Sequence, residues 1–164
     1  MWKIGVITSS NSIYRGVREN DCLPRLEALL QSSLDSSVMH YRVCPDNMEL
    51  LKESMIELVD RERVDLLLTI GGTGLSPEDV TPEATELVID RHVPGLAEEM
   101  RRCAMQNSRR SLLTRATVGT RGNALVINLP GSIPFMEWCF LAIVDQIPAA
   151  LSLIQGANEN VNTK

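Results

Sequence analysis

Two kinds of apolar pattern alternate along the first half of the chain. Ile4-Gly5-Val6-Ile7-Thr8 is a short β-rich run closed by the polar cluster Ser9-Ser10-Asn11-Ser12, which predicts a strand and then a loop. Leu23, Leu26, Leu29, Leu30 and Leu34 follow at helical spacing. Residues 38–44 predict a second strand, stopped by Pro45-Asp46-Asn47. Met48, Leu51, Met55, Leu58 and Val59 mark a second amphipathic helix reaching Glu62, with its charges on the other face. Residues 64–70 predict a third strand, whose Leu66-Leu67-Leu68 lacks alternation, as a strand covered on both faces requires. The β–α–β–α–β order implies right-handed crossovers, a parallel sheet and helices on both sides.

Beyond a glycine-rich loop, Pro82 suits the first turn of a helix running to about Asp90. A break at Val93-Pro94-Gly95 precedes a helix from Leu96 to about Asn107. Residues 111–118 and 124–129 predict two more strands separated by 119–123. The last helical region spans Pro134 to Ile154, and Pro148 must interrupt it because proline lacks the N–H that a helix interior uses. The fold expected is α/β: one three-layer α/β/α domain over residues 1–156 with a mostly parallel central sheet. Residues 157–164 are expected to form a flexible tail.

Composition narrows the function. Hydrophobic residues make up 44% and charged residues 23% of 164 residues, an ordinary globular balance. A net charge of −5 argues against a general nucleic-acid binder, which would show a basic stripe, yet allows a local basic pocket. Cys22, Cys44, Cys103 and Cys139 form no CxxC pair, and His40 and His92 have no HxxxH spacing. Such cysteines read as reduced core residues rather than a zinc site. MWKIGVITSS contains no long apolar segment, and residues 139–144, the longest apolar run, are too short to span a bilayer. A cytoplasmic protein without a membrane partner is expected.

The candidate chemistry lies at the strand ends. An open parallel sheet binds ligands outside the carboxyl ends of its strands, and four polar clusters fall there: Ser9-Ser10-Asn11, Pro45-Asp46, residues 71–79, and Asn128-Leu129-Pro130-Gly131-Ser132. The loop GGTGLSPEDVTP is not a Walker A motif, since it contains no GK[ST]. It is not a dinucleotide fingerprint either, because the third glycine is missing. Its glycines still let backbone N–H groups approach a phosphate. Asp46 and Asp79 each follow a different strand end and could share one Mg²⁺ as hard oxygen ligands. Both also stand near helix starts and could instead be N-caps. Spacing alone leaves these two roles open.

The segments IGVITSSNS, PD, LLLTIGGTG, DVTPEAT, DRHVPGLAEEMR and SLLTRATVGTRGNALVINLPGS occur in this order between Ile4 and Ser132. In that order the chain resembles the MogA/MoaB-type molybdenum cofactor biosynthesis family, the molybdopterin adenylyltransferases. The resemblance implies adenylylation of molybdopterin by ATP and Mg²⁺, releasing pyrophosphate. It carries the family's two essential, metal-holding acids onto Asp46 and Asp79. Nucleotide contacts pass onto Gly71, Gly72, Thr73 and Gly74. Contacts to the pterin and its phosphate pass onto Thr8, Ser10, Asn11, Thr114, Arg115, Asn128, Pro130, Gly131 and Ser132. Two positions depart from the family: Asn11 and Asn20 stand where aspartates are common. The resemblance also implies a homotrimer and a downstream molybdate-insertion protein as partner. A non-catalytic molybdopterin-binding or scaffold protein of the same fold is the alternative. Between Phe135 and Val144 only Glu137 is charged, and a helix apolar on two sides needs two partners, one of which could be another subunit.

Overall fold

Six strands, side by side in the order Val38–Cys44, Ile4–Ser9, Leu66–Ile70, Ala124–Leu129, Val118–Arg121 and Arg91–His92, form the single sheet found among the described residues. The structure, a computed structural model, describes residues 1–156, so the expected tail at 157–164 lies outside the described residues. The chain runs β1 (Ile4–Ser9), α1 (Asn11–Tyr14), α2 (Cys22–Leu34), β2 (Val38–Cys44), α3 (Met48–Ile56), β3 (Leu66–Ile70) and α4 (Thr81–Glu86). It continues through β4 (Arg91–His92), α5 (Pro94–Asn107), β5 (Val118–Arg121), β6 (Ala124–Leu129), α6 (Ile133–Ile143) and α7 (Ile147–Ile154). Strands β1, β2, β3 and β6 run parallel; β5 lies antiparallel to both β6 and β4.

The sheet's pleat sorts its side chains into two cores. Ile4, Val6, Leu66, Leu68, Ile70, Leu125, Ile127 and Leu129 face α2, α5, α6 and α7. Ile7, Leu67 and Val126 face α3 and α4. Every residue of β1, β3 and β6 is buried, which is why the leucine run at 66–68 shows no polar alternation. The three layers expected from the sequence are present.

Three expectations need correction. Residues 111–118 do not form a strand: Arg109–Leu113 is a 3₁₀ turn, and the strand is Val118–Arg121. The backbone there bonds elsewhere. The Arg115 N–H donates to the Thr73 carbonyl (2.8 Å), and the Asn128 N–H to the Thr117 carbonyl (3.1 Å). Gly119 to Arg121 accordingly belong to the hairpin's strand, and Gly122 turns it at φ +52°. His92, placed in no predicted helix or strand, sits in the two-residue edge strand β4, where Asp90 N–H and Val93 N–H reach the carbonyls of Thr120 and Val118. The helical region Ile133–Ile154, at 22 residues, is long and apolar enough to cross a membrane by length and composition, contrary to the reading from its longest apolar run. It is nevertheless broken at Val144–Gln146 and buries Met136, Cys139, Phe140, Ile143, Ile147 and Leu151 in this chain's own core. Pro148 falls in the first turn of α7, where its missing N–H leaves no bond unmade.

The hairpin packs tightly at Gly119. A Cβ there would lie 2.6 Å from Ile89 Cδ1 and 2.7 Å from the Arg91 carbonyl oxygen. Gly119→Ala is expected to lower stability by about 1–3 kcal/mol through overpacking, measured by urea unfolding. An unchanged midpoint would show that the edge strand yields freely.

Candidate active site

Asp46 reaches the end of the sheet because its neighbour relieves it of capping. Asn47, not Asp46, is the N-cap of α3, its side chain accepting the Leu50 N–H at 3.0 Å. Asp46 instead bonds back to the end of β1. Its Oδ1 accepts from Ser9 Oγ (2.8 Å) and its Oδ2 from the Asn11 N–H (3.1 Å), while its own N–H donates to Asn11 Oδ1 (3.0 Å). The Asn11 side chain thus orients Asp46 through its backbone, using the amide oxygen that an aspartate would also offer.

Asp79 does not cap a helix either. Its Oδ2 accepts the Ser76 N–H (3.0 Å) and its own N–H donates to the Ser76 carbonyl (2.9 Å), closing a turn within the glycine-rich loop. Arg115 holds that loop from outside. Its guanidinium donates to the carbonyls of Gly74 and Asp79, both at 2.8 Å, and to the Glu83 carboxylate. Burial works to raise the Glu83 pKa, but the bond and charge of Arg115 outweigh it and hold the carboxyl below its usual range.

The loop's first two glycines answer to packing. Gly71 and Gly72 have φ of +94° and +67°, a region that side chains rarely tolerate. A Cβ on Gly71 would sit 2.5 Å from the Ser9 carbonyl oxygen, and one on Gly72 2.3 Å from Thr81 Oγ1. Gly131, after β6, meets Gly71 across the same gap. The Gly71 N–H is committed to the Leu129 carbonyl (2.9 Å). The amides of Gly72, Thr73 and Gly74 have no such protein partner among the described residues.

These strand ends enclose a cavity of about 490 Å³, within the range of small-molecule sites. Thr8, Ser10, Asp46, Gly71, Gly72, Asp79, Gly131 and Ser132 line it, so eight of the fifteen residues predicted for the site meet in one space. Asn11 lines a smaller hollow of about 330 Å³ that shares Ser10 and Asp46. Thr73 and Gly74 continue the loop outside the cavity lining, and Thr114 and Arg115 brace them from behind: Thr114 Oγ1 lies 3.2 Å from Thr73 Oγ1. Pro130 is buried. Asn128 is fully buried on the opposite face of the sheet, where its Nδ2 donates to Thr69 Oγ1 (3.0 Å) and Thr85 Oγ1 (2.9 Å) and its Oδ1 accepts the Thr117 N–H (3.1 Å).

Sequence reasoning missed the connection from α1 to α2, which places Arg18, Glu19, Asp21 and Cys22 on the cavity. Asn20, read only as a departure from the family, also lines it and donates to Thr8 Oγ1 at 2.9 Å. The one available signal was that this polar stretch, directly after the first strand, must cross the carboxyl end of the sheet. Among the described residues no three His, Cys, Asp or Glu side chains gather as a metal site. A cation held by Asp46 and Asp79 would need further oxygens from its ligand. Their donor set fits Mg²⁺, which characteristically takes one or two carboxylates plus phosphate oxygens and water.

Residues 5–149 match the family model described as a probable molybdopterin binding domain. The chain is 34% identical to the molybdopterin adenylyltransferase of Helicobacter pylori J99, over 98% of this chain and 92% of that one. It is 37% identical to the enzyme of the same name from Haemophilus influenzae, over 94% and 85%. Among solved structures, the molybdopterin biosynthesis enzyme MoaB from Thermus thermophilus superposes with a TM-score of 0.90 at 38% identity, covering 95% of this chain and 98% of that one.

The position of Asn128 makes a clear forecast. Asn128→Ala is expected to destabilise the fold by roughly 1–3 kcal/mol, because the buried Thr69 and Thr85 hydroxyls and the half-buried Thr117 N–H lose their partner. Ligand affinity of the protein that remains folded should stay unchanged. Thermal unfolding with and without ligand separates these effects, and a ligand-specific loss at wild-type stability would place Asn128 in the binding surface after all.

Proposed function

The chain belongs to the molybdopterin-binding family of molybdenum cofactor biosynthesis, and from that premise we propose that it is a molybdopterin adenylyltransferase, moving the adenylyl group of ATP onto the phosphate of molybdopterin. One observation carries this reading. Two carboxylates from separate strand ends, Asp46 and Asp79, share a cavity with Gly71 and Gly72 of the glycine-rich loop. Without a Walker lysine, the phosphates' charge has to be met by other means.

In this reading Asp46 and Asp79 hold Mg²⁺, which supplies charge neutralisation at the phosphates. The protein's own residues position the reactants. Ser9 and Asn11 fix both oxygens of Asp46, so its direction is set before any ligand arrives. The Ser76–Asp79 turn does the same for Asp79. The amides of Gly72, Thr73 and Gly74 offer donors to the nucleotide, and Thr8, Ser10, Gly131 and Ser132 face the remainder of the cavity for the pterin. Thr114, Arg115, Asn128 and Pro130 act through the structure, by holding the loop and the sheet. Such catalysis rests on orientation and electrostatics rather than on a protein nucleophile. Cys22, the thiol that lines the cavity, fits this: burial pushes its pKa up, with Asp21 adding to the rise and Arg18 opposing it. The cytoplasm is the compartment we assign to the reaction, and a molybdate-insertion protein would receive the product.

Asp46→Asn and Asp79→Asn should each lower the Mg²⁺-dependent yield of adenylylated molybdopterin by about a hundredfold or more, because the carboxamide removes the charge that holds the cation. The assay incubates purified protein with molybdopterin, ATP and Mg²⁺ and follows the adenylylated product. Turnover at the wild-type rate in both variants would remove the metal-holding role.

We further propose a homotrimer that uses α6. Leu141 on that helix is 49% exposed, on a segment whose other large apolar side chains pack inward or, like Phe135 and Trp138, against each other with ring centroids 5.2 Å apart. Light scattering should give three times the chain mass, and Leu141→Glu should shift it toward the monomer. A wild-type monomer at micromolar concentration refutes the assembly.

A further inference from the structure

The cavity is acidic for a site that must take phosphates. Glu19, Asp21, Asp46 and Asp79 line it, against a single guanidinium, that of Arg18. The arginine beside the glycine-rich loop, Arg115, is consumed by Glu83 and two carbonyls. Arg18 is not consumed. Although Glu19 and Asp21 are close in sequence, it joins no ion pair among the described residues.

Arg18 is also aimed. Its Nη2 lies 3.5 Å from Ser10 Oγ, turned toward the rim of the cavity. Its charge reaches Cys22, inside the same cavity. The backbone beneath it is tied down: the N–H groups of Val17 and Arg18 both donate to the Ser12 carbonyl, at 2.9 and 3.3 Å. A fixed backbone carrying a free, planar, permanently charged group is what bidentate phosphate recognition uses.

We propose that Arg18 is a substrate-binding residue whose guanidinium takes phosphate oxygens of a ligand held in this cavity. This rests on reading the site as one that handles phosphates. The shared chemistry is a phosphoryl group, which either the nucleotide's triphosphate or the pterin's own phosphate would provide.

The test titrates three probes by calorimetry: Mg²⁺-free tripolyphosphate, Mg·ATP and molybdopterin. Each goes into wild-type protein, Arg18→Gln, Arg18→Lys and Arg91→Gln, the last removing a charge from β4 at the far edge of the sheet. Tripolyphosphate should bind Arg18→Gln about tenfold or more weakly than wild type, as expected for a hydrogen bond to a charged group. Its affinity should also depend less on salt. Arg18→Lys should recover part of the loss, and Arg91→Gln should stay within about twofold of wild type. The ATP and molybdopterin arms identify whose phosphate Arg18 meets. Affinities for all three probes within about twofold of wild type in Arg18→Gln overturn the proposal. So does an equal loss in Arg91→Gln, or a wild-type chain that takes up none of the three. If Arg18→Gln loses tripolyphosphate but the wild-type protein makes no adenylylated product, Arg18 keeps its role and the reaction assigned above falls. If product forms with unchanged kinetics in Arg18→Gln, the reaction stands and Arg18 is removed from it.

Discussion

The site depends on one side chain outside it. Arg115 binds the carbonyls of Gly74 and Asp79 and the carboxylate of Glu83, tying together both ends of the loop that carries Asp79 and the helix that follows. The Arg115 N–H adds a fourth tie, to Thr73. A loop of this length with three glycines would otherwise be costly to hold in one conformation, since each residue fixed loses about 1–2 kcal/mol of backbone entropy. The guanidinium replaces that freedom with bonds of fixed geometry. Its arginine lies in the segment whose composition imitates a strand.

That imitation explains what could and could not be read from the sequence. Strands β1, β3 and β6 were legible because their apolar runs are short, bounded by turn residues and set between helical periods, as strands covered on both faces are. Residues 111–118 have a strand-like composition too, but Leu112 and Leu113 are exposed while Thr114 and Arg115 bond to the glycine-rich loop, so the composition suited a strand and the element is a turn. At Asp46 the difficulty was adjacency. Asp46 and Asn47 are both good caps, and only the bond from Leu50 N–H to Asn47 shows which of them caps the helix. The contribution of residues 18–22 was invisible because it follows from where the chain must cross the sheet, and a crossing path leaves no periodicity.

The two faces of the sheet divide the work. Thr8 and the ends of β3 and β6 open toward the side covered by α2 and α6, where the cavity lies. Thr69, Thr85 and Asn128 form a closed polar knot on the side of α4. Asn128 alone of its motif serves that knot, which ties β6 to β3 and α4 beneath the glycines. A motif shared with a family can therefore mark residues that shape a site without reaching it.

The floor of the cavity is main chain where Gly71, Gly72 and Gly131 come together, whereas one wall, carrying Arg18, Glu19 and Asp21, is side chain borne on the α1–α2 connection. The two parts answer to mutation differently. At the floor, any residue larger than glycine meets backbone or the buried Thr81 within 3.1 Å, so the sequence there has almost no freedom to drift. On the wall, exposed residues such as Arg18 and Glu19 can be exchanged without disturbing the fold. Lineages that inherit this scaffold can retune what the pocket prefers by rewriting a few exposed codons, while the surface on which the reactants rest stays constant.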